Sequence, residues 1–298
     1  MFDAAPDTPP TALQQSAEFA GALELLGQMP RRLPDGTLAL QRRWKGLPVT
    51  LLSRAQVHNP SALWRHLAGS RTRGPVIISP DHPVDLVPEG ALPLVSPATI
   101  ARLDLSGTEE TLASGLHQKW RNRLKHAQGQ NLRVTRQNMP DDPGHWLLRA
   151  DSAQQRRRGY RNWPTAMTIA WLRANAGKAK LFTALDGKET VAGLLILRHG
   201  NAGTYHIGHT TARGRRCSAH TLLLWSALTW LQRKSADTVD LGIISTEDAP
   251  GLARFKLGTG AGVHRLGGTW VWWPPVTPVF RGIARLDNRL MQGLWTDR

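Results

Sequence analysis

The 298-residue sequence has one cysteine, Cys217, and two tyrosines. A lone thiol excludes an internal disulfide and matches a reducing compartment. No run approaches the ~18 consecutive apolar residues of a membrane span. The opening "MFDAAPDTPPTALQQ" has neither a basic nor an apolar segment, so it does not read as a secretory signal. A cytoplasmic protein is expected, with contact at the inner face of the membrane as an alternative. No HExxH or CxxC spacing occurs, and no metal site is expected. Acidic residues are scarce: 22 Asp+Glu face 38 Lys+Arg, a net charge of +16. Residues 1–141 hold 16 basic against 12 acidic side chains, and residues 142–298 hold 22 against 10. That excess suits an anionic partner such as nucleic acid, a phosphate-bearing substrate or a membrane surface. A merely solvated basic surface is the plainer alternative.

What is present is bulk. Hydrophobic residues make up 41% of the chain and include twelve tryptophans, and the length favours two domains. Residues 1–15 read as disordered. Residues 16–141 read as a first domain: a helix with Phe19, Leu23 and Leu26 on one face, strands at "TLALQRRW", "LPVTLLSR", "GPVIISP" and "IARLDLSG", and a short helix "PSALWRHLAG". Asp81 to Pro97 is proline-rich and irregular. In "SGTEETLASGLHQKWRNRLKHAQGQ", Ser106 and Glu109 have capping-box spacing, and Leu112, Leu116, Trp120 and Leu124 line one helical face.

Residues 142–277 read as a second domain. After two helical stretches, "AKLFTALDG", "TVAGLLILRHG" and "AGTYHIGHTT" form an antiparallel meander with glycine turns. "SAHTLLLWSALTWLQRKS" is a mostly apolar helix with Ser218 at its N-cap, "TVDLGII" a strand, and "GVHRLGGTWVWW" another. Residues 278–298 place Val279, Ile283, Leu286, Leu290 and Leu294 on one helical face beside Arg281, Arg285 and Arg289. Docking on the first domain and membrane-surface contact are the two readings of that amphipathic helix. The whole is an α/β (mixed α+β) arrangement, with helices covering mixed sheets.

Three segments carry chemistry. In "DLGIISTEDAPGLARFKLGTGAGVHRLGGTW", Ser245 and Thr246 signal a helix start, Pro250 suits its first turn, and Leu252 and Phe255 can face the sheet. Lys256, the only lysine after Lys234, then lies at the sheet edge with glycines behind it. An ammonium there can stabilise a carbonyl oxygen that gains charge, although an exposed lysine at a helix C-terminus has the same letters. Asp240 and Glu247 are the carboxylates able to act as base or to orient an amine, with Glu247 and Asp248 alternatively serving as caps.

In "TARGRRCSAH", Arg213, Arg215 and Arg216 precede a helix whose N–H groups can meet an anion. On the capped helix Trp120, Arg121 and Asn122 are candidates for a substrate-facing surface, with Trp120 alternatively a core residue, as are Arg157 and Arg161 farther on. His206 and His209, at odd spacing on a strand, should not share a face. Cys217 beside His220 reads as packed rather than nucleophilic.

Together, "LHQKWRNRLKHAQGQNLRV", the meander-loop-helix and "DLG…PGLARFKLGTGA…GGTW" resemble the FemAB family of tandem GNAT-like aminoacyltransferases, which build peptidoglycan interpeptide bridges. The resemblance runs from about residue 100 to 273. It is best at Asp240, Leu241, Gly242, Gly251, Leu252, Phe255, Lys256 and Gly258. It implies tandem GNAT-like domains and assigns Lys256 to the transfer step, with Phe255 as its neighbour. The coenzyme A fingerprint [QR]-x-x-G-x-[GA] of the wider superfamily does not fit. Counting from Arg213, Arg216 occupies the first glycine position and Ser218 the second small one.

The implied function is acyl transfer to an amine, such as that of a cell-wall precursor. The expected co-substrate is aminoacyl-tRNA, with no permanently bound cofactor. An N-acyltransferase using acyl-coenzyme A or acyl-carrier protein is one alternative. A non-catalytic RNA- or membrane-surface-binding module is the other.

Overall fold

The computed structural model describes residues 12–70 and 74–273, and Gly282. The expected C-terminal helix at 278–298 lies otherwise outside the described residues. The chain opens with a 3-10 turn, Leu13–Gln15, followed by α1 (Ala17–Leu25), β1 (Pro30–Arg32), β2 (Leu38–Trp44) and β3 (Leu47–Ala55). Next come α2 (Pro60–Gly69), β4 (Val76–Pro80), β5 (Leu92–Val95), β6 (Thr99–Asp104), α3 (Glu109–Ser114) and α4 (Gln118–Gln128). Then follow β7 (Leu132–Asn138), α5 (Trp146–Arg158), α6 (Thr165–Ala174), β8 (Ala179–Asp186), β9 (Glu189–His199) and β10 (Ala202–Thr210). The described chain ends with α7 (Ala212–Arg216), α8 (Ala219–Gln232), β11 (Thr238–Ile243), α9 (Pro250–Leu257), β12 (Gly262–Arg265) and β13 (Thr269–Trp272).

Two compact units form, and they are interleaved in sequence. One holds the described residues up to Leu26 together with Ile100–Val263; the other holds Gly27–Thr99 and the described residues from His264. The expected succession of domains, 16–141 then 142–277, is replaced by this partition. Its cause is sheet neighbourhood, which local pattern does not encode. β13 pairs with β4 and β5, and β6 pairs with β11. Of the expected disordered stretch 1–15, the described part is ordered: Leu13 and Gln15 are buried, and Ser16 caps α1 by accepting from the Phe19 amide at 3.1 Å.

Each unit repeats one topology. In the second, β1, β2 and β3 are antiparallel, α2 crosses over, and β4 lies parallel to β3. Asn59 caps α2 at the Ala62 amide, Pro60 occupies its first turn, and Leu63, Trp64 and Leu67 are buried. Trp64 stacks on Trp272 with ring centroids 4.4 Å apart. In the first unit, β8, β9 and β10 are antiparallel, α7 and α8 cross over, and β11 lies parallel to β10. Leu223, Leu224, Ala227, Leu228 and Leu231 of α8 are buried on the sheet.

Third strands of both units carry a register shift, between Ser53 and Ala55 in β3 and between Tyr205 and Ile207 in β10. The parallel pairs beyond them differ. β3 and β4 stay paired from Thr50↔Val76 through Ala55↔Pro80, across the bulge. β10 and β11 pair only at Ala202↔Thr238, Gly203↔Val239 and Thr204↔Asp240, and then part.

Several local expectations change. The helix expected across 106–130 is two: Thr108, not Ser106, caps α3 at the Thr111 amide, and the chain turns at Gly115–His117 before α4. Leu112, Leu116, Trp120 and Leu124 are still all buried. "GVHRLGGTWVWW" splits into β12 and β13 in different sheets, the bend occurring at Gly268 with φ +77°. β5 was hidden by its prolines, which an edge strand tolerates. No described helix is long and apolar enough to cross a membrane.

Gly203, in the last paired stretch of β10, has no room for a side chain: a Cβ would lie 2.7 Å from Leu231 Cδ1. Gly203→Ala is expected to cost about 1–3 kcal/mol by overpacking. Comparison of its thermal midpoint with that of the wild type measures this, and an unchanged midpoint contradicts the packing described.

Candidate active site

Where β10 and β11 part, side chains from four elements meet. β11 is drawn toward β6 by its own irregularity between Asp240 and Ile243, where Gly242 takes φ +81°. β10 turns away through its bulge. The open end is bordered by Tyr205 on β10, His220 in the first turn of α8, Asp240 to Ile243 on β11, and Phe255 and Lys256 on α9.

α9 starts at Pro250 with Ala249 as an unassisted cap. The expected Ser245–Asp248 start is instead a turn upstream, with Ser245 Oγ accepting from the Asp248 amide at 3.0 Å. Leu252, expected to face the sheet, is 40% exposed, whereas Lys256, expected at the edge, is only 6% exposed. The helix is rolled so that Ala253 and Lys256 point inward.

Lys256 Nζ donates to the Ile243 carbonyl at 2.8 Å. Burial pushes its pKa down to about 8, opposed by the Asp240 carboxylate. The group is therefore mostly charged at neutral pH. An ammonium has three hydrogens, and among the described residues Ile243 alone accepts one. Gly242 keeps a side chain off the ammonium, since a Cβ there would touch Nζ at 3.4 Å. Asp240 itself accepts from the Gly242 amide at 2.7 Å.

Gly258 lets α4 close on α9, since a Cβ would come 2.8 Å from Trp120 Cδ1. The His117 amide donates to the Gly258 carbonyl at 3.0 Å, and Trp120 Nε1 donates to the Phe255 carbonyl at 3.1 Å. Trp120, expected at a substrate-facing surface, is thus a buried packing element behind Phe255. Arg121 donates to the Ser114 and Leu116 carbonyls at 3.2 and 2.9 Å, ending α3, and Asn122 lies exposed on α4. Phe255 sits between two rings, 6.2 Å from Trp120 and 5.5 Å from His220.

Glu247 is exposed on the loop before α9. Arg213 pairs with Asp186 at 2.6 Å, Arg215 donates to the Thr210 carbonyl at 2.9 Å, and Arg216 is exposed. Arg157 and Arg161 are exposed at and after the end of α5. The pKa of His209 is lowered by burial and then by the Arg157 and Arg215 charges. Ser218 stands at the N-cap of α8 with φ 53°, but its side chain makes no capping bond.

The bulge corrects one expectation about faces. By inserting a residue, it turns His206 and His209 alike away from α8, His206 onto Thr168 Oγ1 at 3.0 Å and His209 toward Trp146. Sequence reasoning missed that Tyr205 and His220 form a pair, with Tyr205 Oη 2.8 Å from His220 Nε2. The letters showed an aromatic and a histidine flanking one loop; alternation from Gly203, which packs on Leu231 of α8, puts Tyr205 on the same face, and the bulge adds Gly208, whose missing side chain makes room for the pair. Cys217 is buried and donates to the Arg213 carbonyl, while the His220 ring is engaged by Tyr205. Among the described residues no group of three His, Cys, Asp or Glu side chains can hold a metal ion.

Folded Lys256 releases its proton near 8 and unfolded lysine near 10.5. Between these values the unfolded chain binds more protons, so wild-type stability rises with pH in that window. The stability difference between Lys256→Met and the wild type should shift in favour of the wild type from pH about 8 to 10.5. Thermal midpoints across that range would show it; a constant difference contradicts the burial of the ammonium.

Residues 115–257 match the Acetyltransferase (GNAT) domain model. No curated protein matches the sequence. Among solved structures, FemX superposes with a TM-score of 0.71 at 16% identity, covering 92% of this chain and 95% of that one. A conserved protein of unknown function from Bacteroides thetaiotaomicron VPI-5482 gives 0.57 at 11% identity, covering 87% and 90%. L-PGS from Bacillus licheniformis gives 0.52 at 12%, covering 94% and 99%. With its meander, crossover helix and parallel fourth strand present in both units, this chain has the FemAB-like tandem GNAT fold.

Proposed function

We propose that the protein is an acyltransferase that moves an activated acyl group onto an amine, with an aminoacyl-tRNA ester as donor. The observation that carries this reading is the Lys256 ammonium: buried, charged at neutral pH, and with two hydrogens uncommitted at the open end between β10 and β11. The acceptor amine attacks the acyl carbon, and the carbonyl electron pair moves onto oxygen. Lys256 stabilises that oxyanion in a water-poor setting where a donor is worth most. Collapse of the intermediate breaks the bond from the acyl carbon to the donor oxygen, which leaves with a proton shed by the amine. Asp240 sustains the charge on Lys256 rather than acting as the base. Glu247, exposed on the loop before α9, is given no role in this reading.

Phosphate recognition by side chains is supported by the exposed Arg157, Arg161, Arg215 and Arg216 and by the +16 charge of the chain. In addition, Arg216 obstructs the backbone approach that coenzyme A pyrophosphate requires. The resemblance to the FemAB family around Asp240–Gly258 supports the amine of a peptidoglycan precursor as the acceptor class. Acyl-coenzyme A is the second reading, favoured by the match of residues 115–257 to an acetyltransferase domain.

Purified protein is incubated with labelled alanyl-tRNA or acetyl-coenzyme A and a lysine-containing peptidoglycan stem peptide, and loss of label from each donor is followed. Transfer from alanyl-tRNA is expected, falling as pH rises above about 8 because Lys256 then loses its charge. Lys256→Ala should lower turnover about 10²–10³-fold while tRNA affinity stays the same. That affinity should drop steeply with salt. Undiminished transfer by Lys256→Ala would refute the mechanism, and loss of label from acetyl-coenzyme A alone would select the second reading.

A further inference from the structure

Tyr205 and His220 are one hydrogen-bond acceptor short. A neutral imidazole and a phenol bring two hydrogens, one N–H and one O–H, and the 2.8 Å contact between Oη and Nε2 uses one of them. Among the described residues nothing accepts the other. His220 Nδ1 is shut off from solvent and has no partner. A proton on Nδ1 would make that atom a buried donor without an acceptor, an arrangement that folded proteins avoid. A proton on Nε2 leaves only a lone pair at Nδ1 and directs the N–H to Tyr205 Oη. In that tautomer, inferred from the network, the tyrosine hydrogen is free to donate elsewhere.

The position of the pair says where. Tyr205 is the first residue of β10 past its last pairing with β11, Thr204↔Asp240. Its side chain turns to the α8 side, onto the first turn of that helix. Gly208, beyond the bulge, makes the space: any Cβ there would overlap Tyr205 Oη and come 2.9 Å from His220 Cε1. The far side of the imidazole is backed by Phe255 at 5.5 Å, the residue before Lys256. One short segment of α9 thus buttresses the pair and presents the ammonium.

We propose that the Tyr205 hydroxyl is a second donor to the acyl oxygen, beside Lys256, and that His220 is the residue that positions it. The proposal rests on the acyl-transfer reading above. Lys256 supplies charge and Tyr205 a directed O–H bond that becomes charge-assisted as the oxyanion forms. Both keep their protons throughout: the carbon–nitrogen bond forms, the carbon–oxygen bond to the donor breaks, and the amine proton leaves with the donor oxygen. Burial keeps the pair suited to this role, pushing the phenol well above its ordinary range and the imidazole down to about 4, so that neither is charged at neutral pH.

The test uses the full chain, alanyl-tRNA and acetyl-coenzyme A as donors, and the stem peptide as acceptor. Tyr205→Phe should lower kcat about 10²–10³-fold with KM for the donor unchanged. His220→Leu should do nearly the same. His220→Gln, whose amide can still donate to Tyr205 Oη, should keep most of the wild-type kcat. Wild-type kcat in Tyr205→Phe, or a loss confined to KM, overturns the proposal while leaving the transferase reading intact if Lys256→Ala is inactive. Equal losses in His220→Gln and His220→Leu overturn the positioning role. A wild-type protein that transfers from neither donor overturns both readings together.

Discussion

A lysine ammonium held at 6% exposure against one carbonyl is the constraint around which the first unit is arranged. Burying a charge is costly unless hydrogen bonds and an opposite charge compensate. Here one carbonyl accepts and Asp240 attracts, which leaves the pKa depressed but the group protonated near neutrality. Full compensation would quench the ammonium; none would neutralise it. The partial compensation is what leaves hydrogens for a reacting oxygen. Everything near Lys256 fixes its place: Gly258 admits Trp120, Trp120 caps the Phe255 carbonyl, and Thr259 Oγ1 donates to the Lys256 carbonyl at 2.7 Å.

Comparison of the two parallel strand pairs shows how one topology is opened or shut. In the second unit the bulge residue Arg54 takes φ 54°, in the left-handed region disfavoured for a side-chain-bearing residue, and pairs with buried Asp81. The Asp81 amide donates to the Ala55 carbonyl at 2.9 Å, and His264 Nε2 bonds the Asp81 carbonyl at 2.6 Å. That sheet is zipped past its bulge. In the first unit, among the described residues, the pairing of β10 with β11 does not continue past Asp240, and Tyr205 and His206 point to opposite faces. The same device closes one pair and leaves a gap in the other, and the gap is where the ammonium lies.

Much of this was legible in the letters. Alternation and glycine turns gave away the meander, the apolar run marked α8, and the resemblance of Asp240, Phe255, Lys256 and Gly258 to the FemAB motif, rather than the local pattern alone, singled out Lys256. What was not legible depends on distant partners. The break at Gly115–His117 exists because Gly258 and Gly260 dock there, more than a hundred residues away: the His117 amide bonds the Gly258 carbonyl, and a Cβ on Gly260 would stand 2.7 Å from the Gly115 carbonyl oxygen. β6 and β13 each join a sheet whose other strands lie far along the chain, so a linear division into domains misplaced them. The common face of His206 and His209, and the approach of Gly208 to the Tyr205–His220 pair, both follow from one inserted residue in β10, which a strict two-residue period cannot register.

The central claim is that Lys256 is a buried, protonated group facing the donor's acyl oxygen, and nuclear magnetic resonance of isotope-labelled lysine side chains tests it most directly. The Lys256 signal, identified by its loss in Lys256→Met, should titrate near 8 and shift when a non-hydrolysable aminoacyl-tRNA analogue is added. Titration near 10.5 together with the other lysines, and no response to the analogue, would contradict the account.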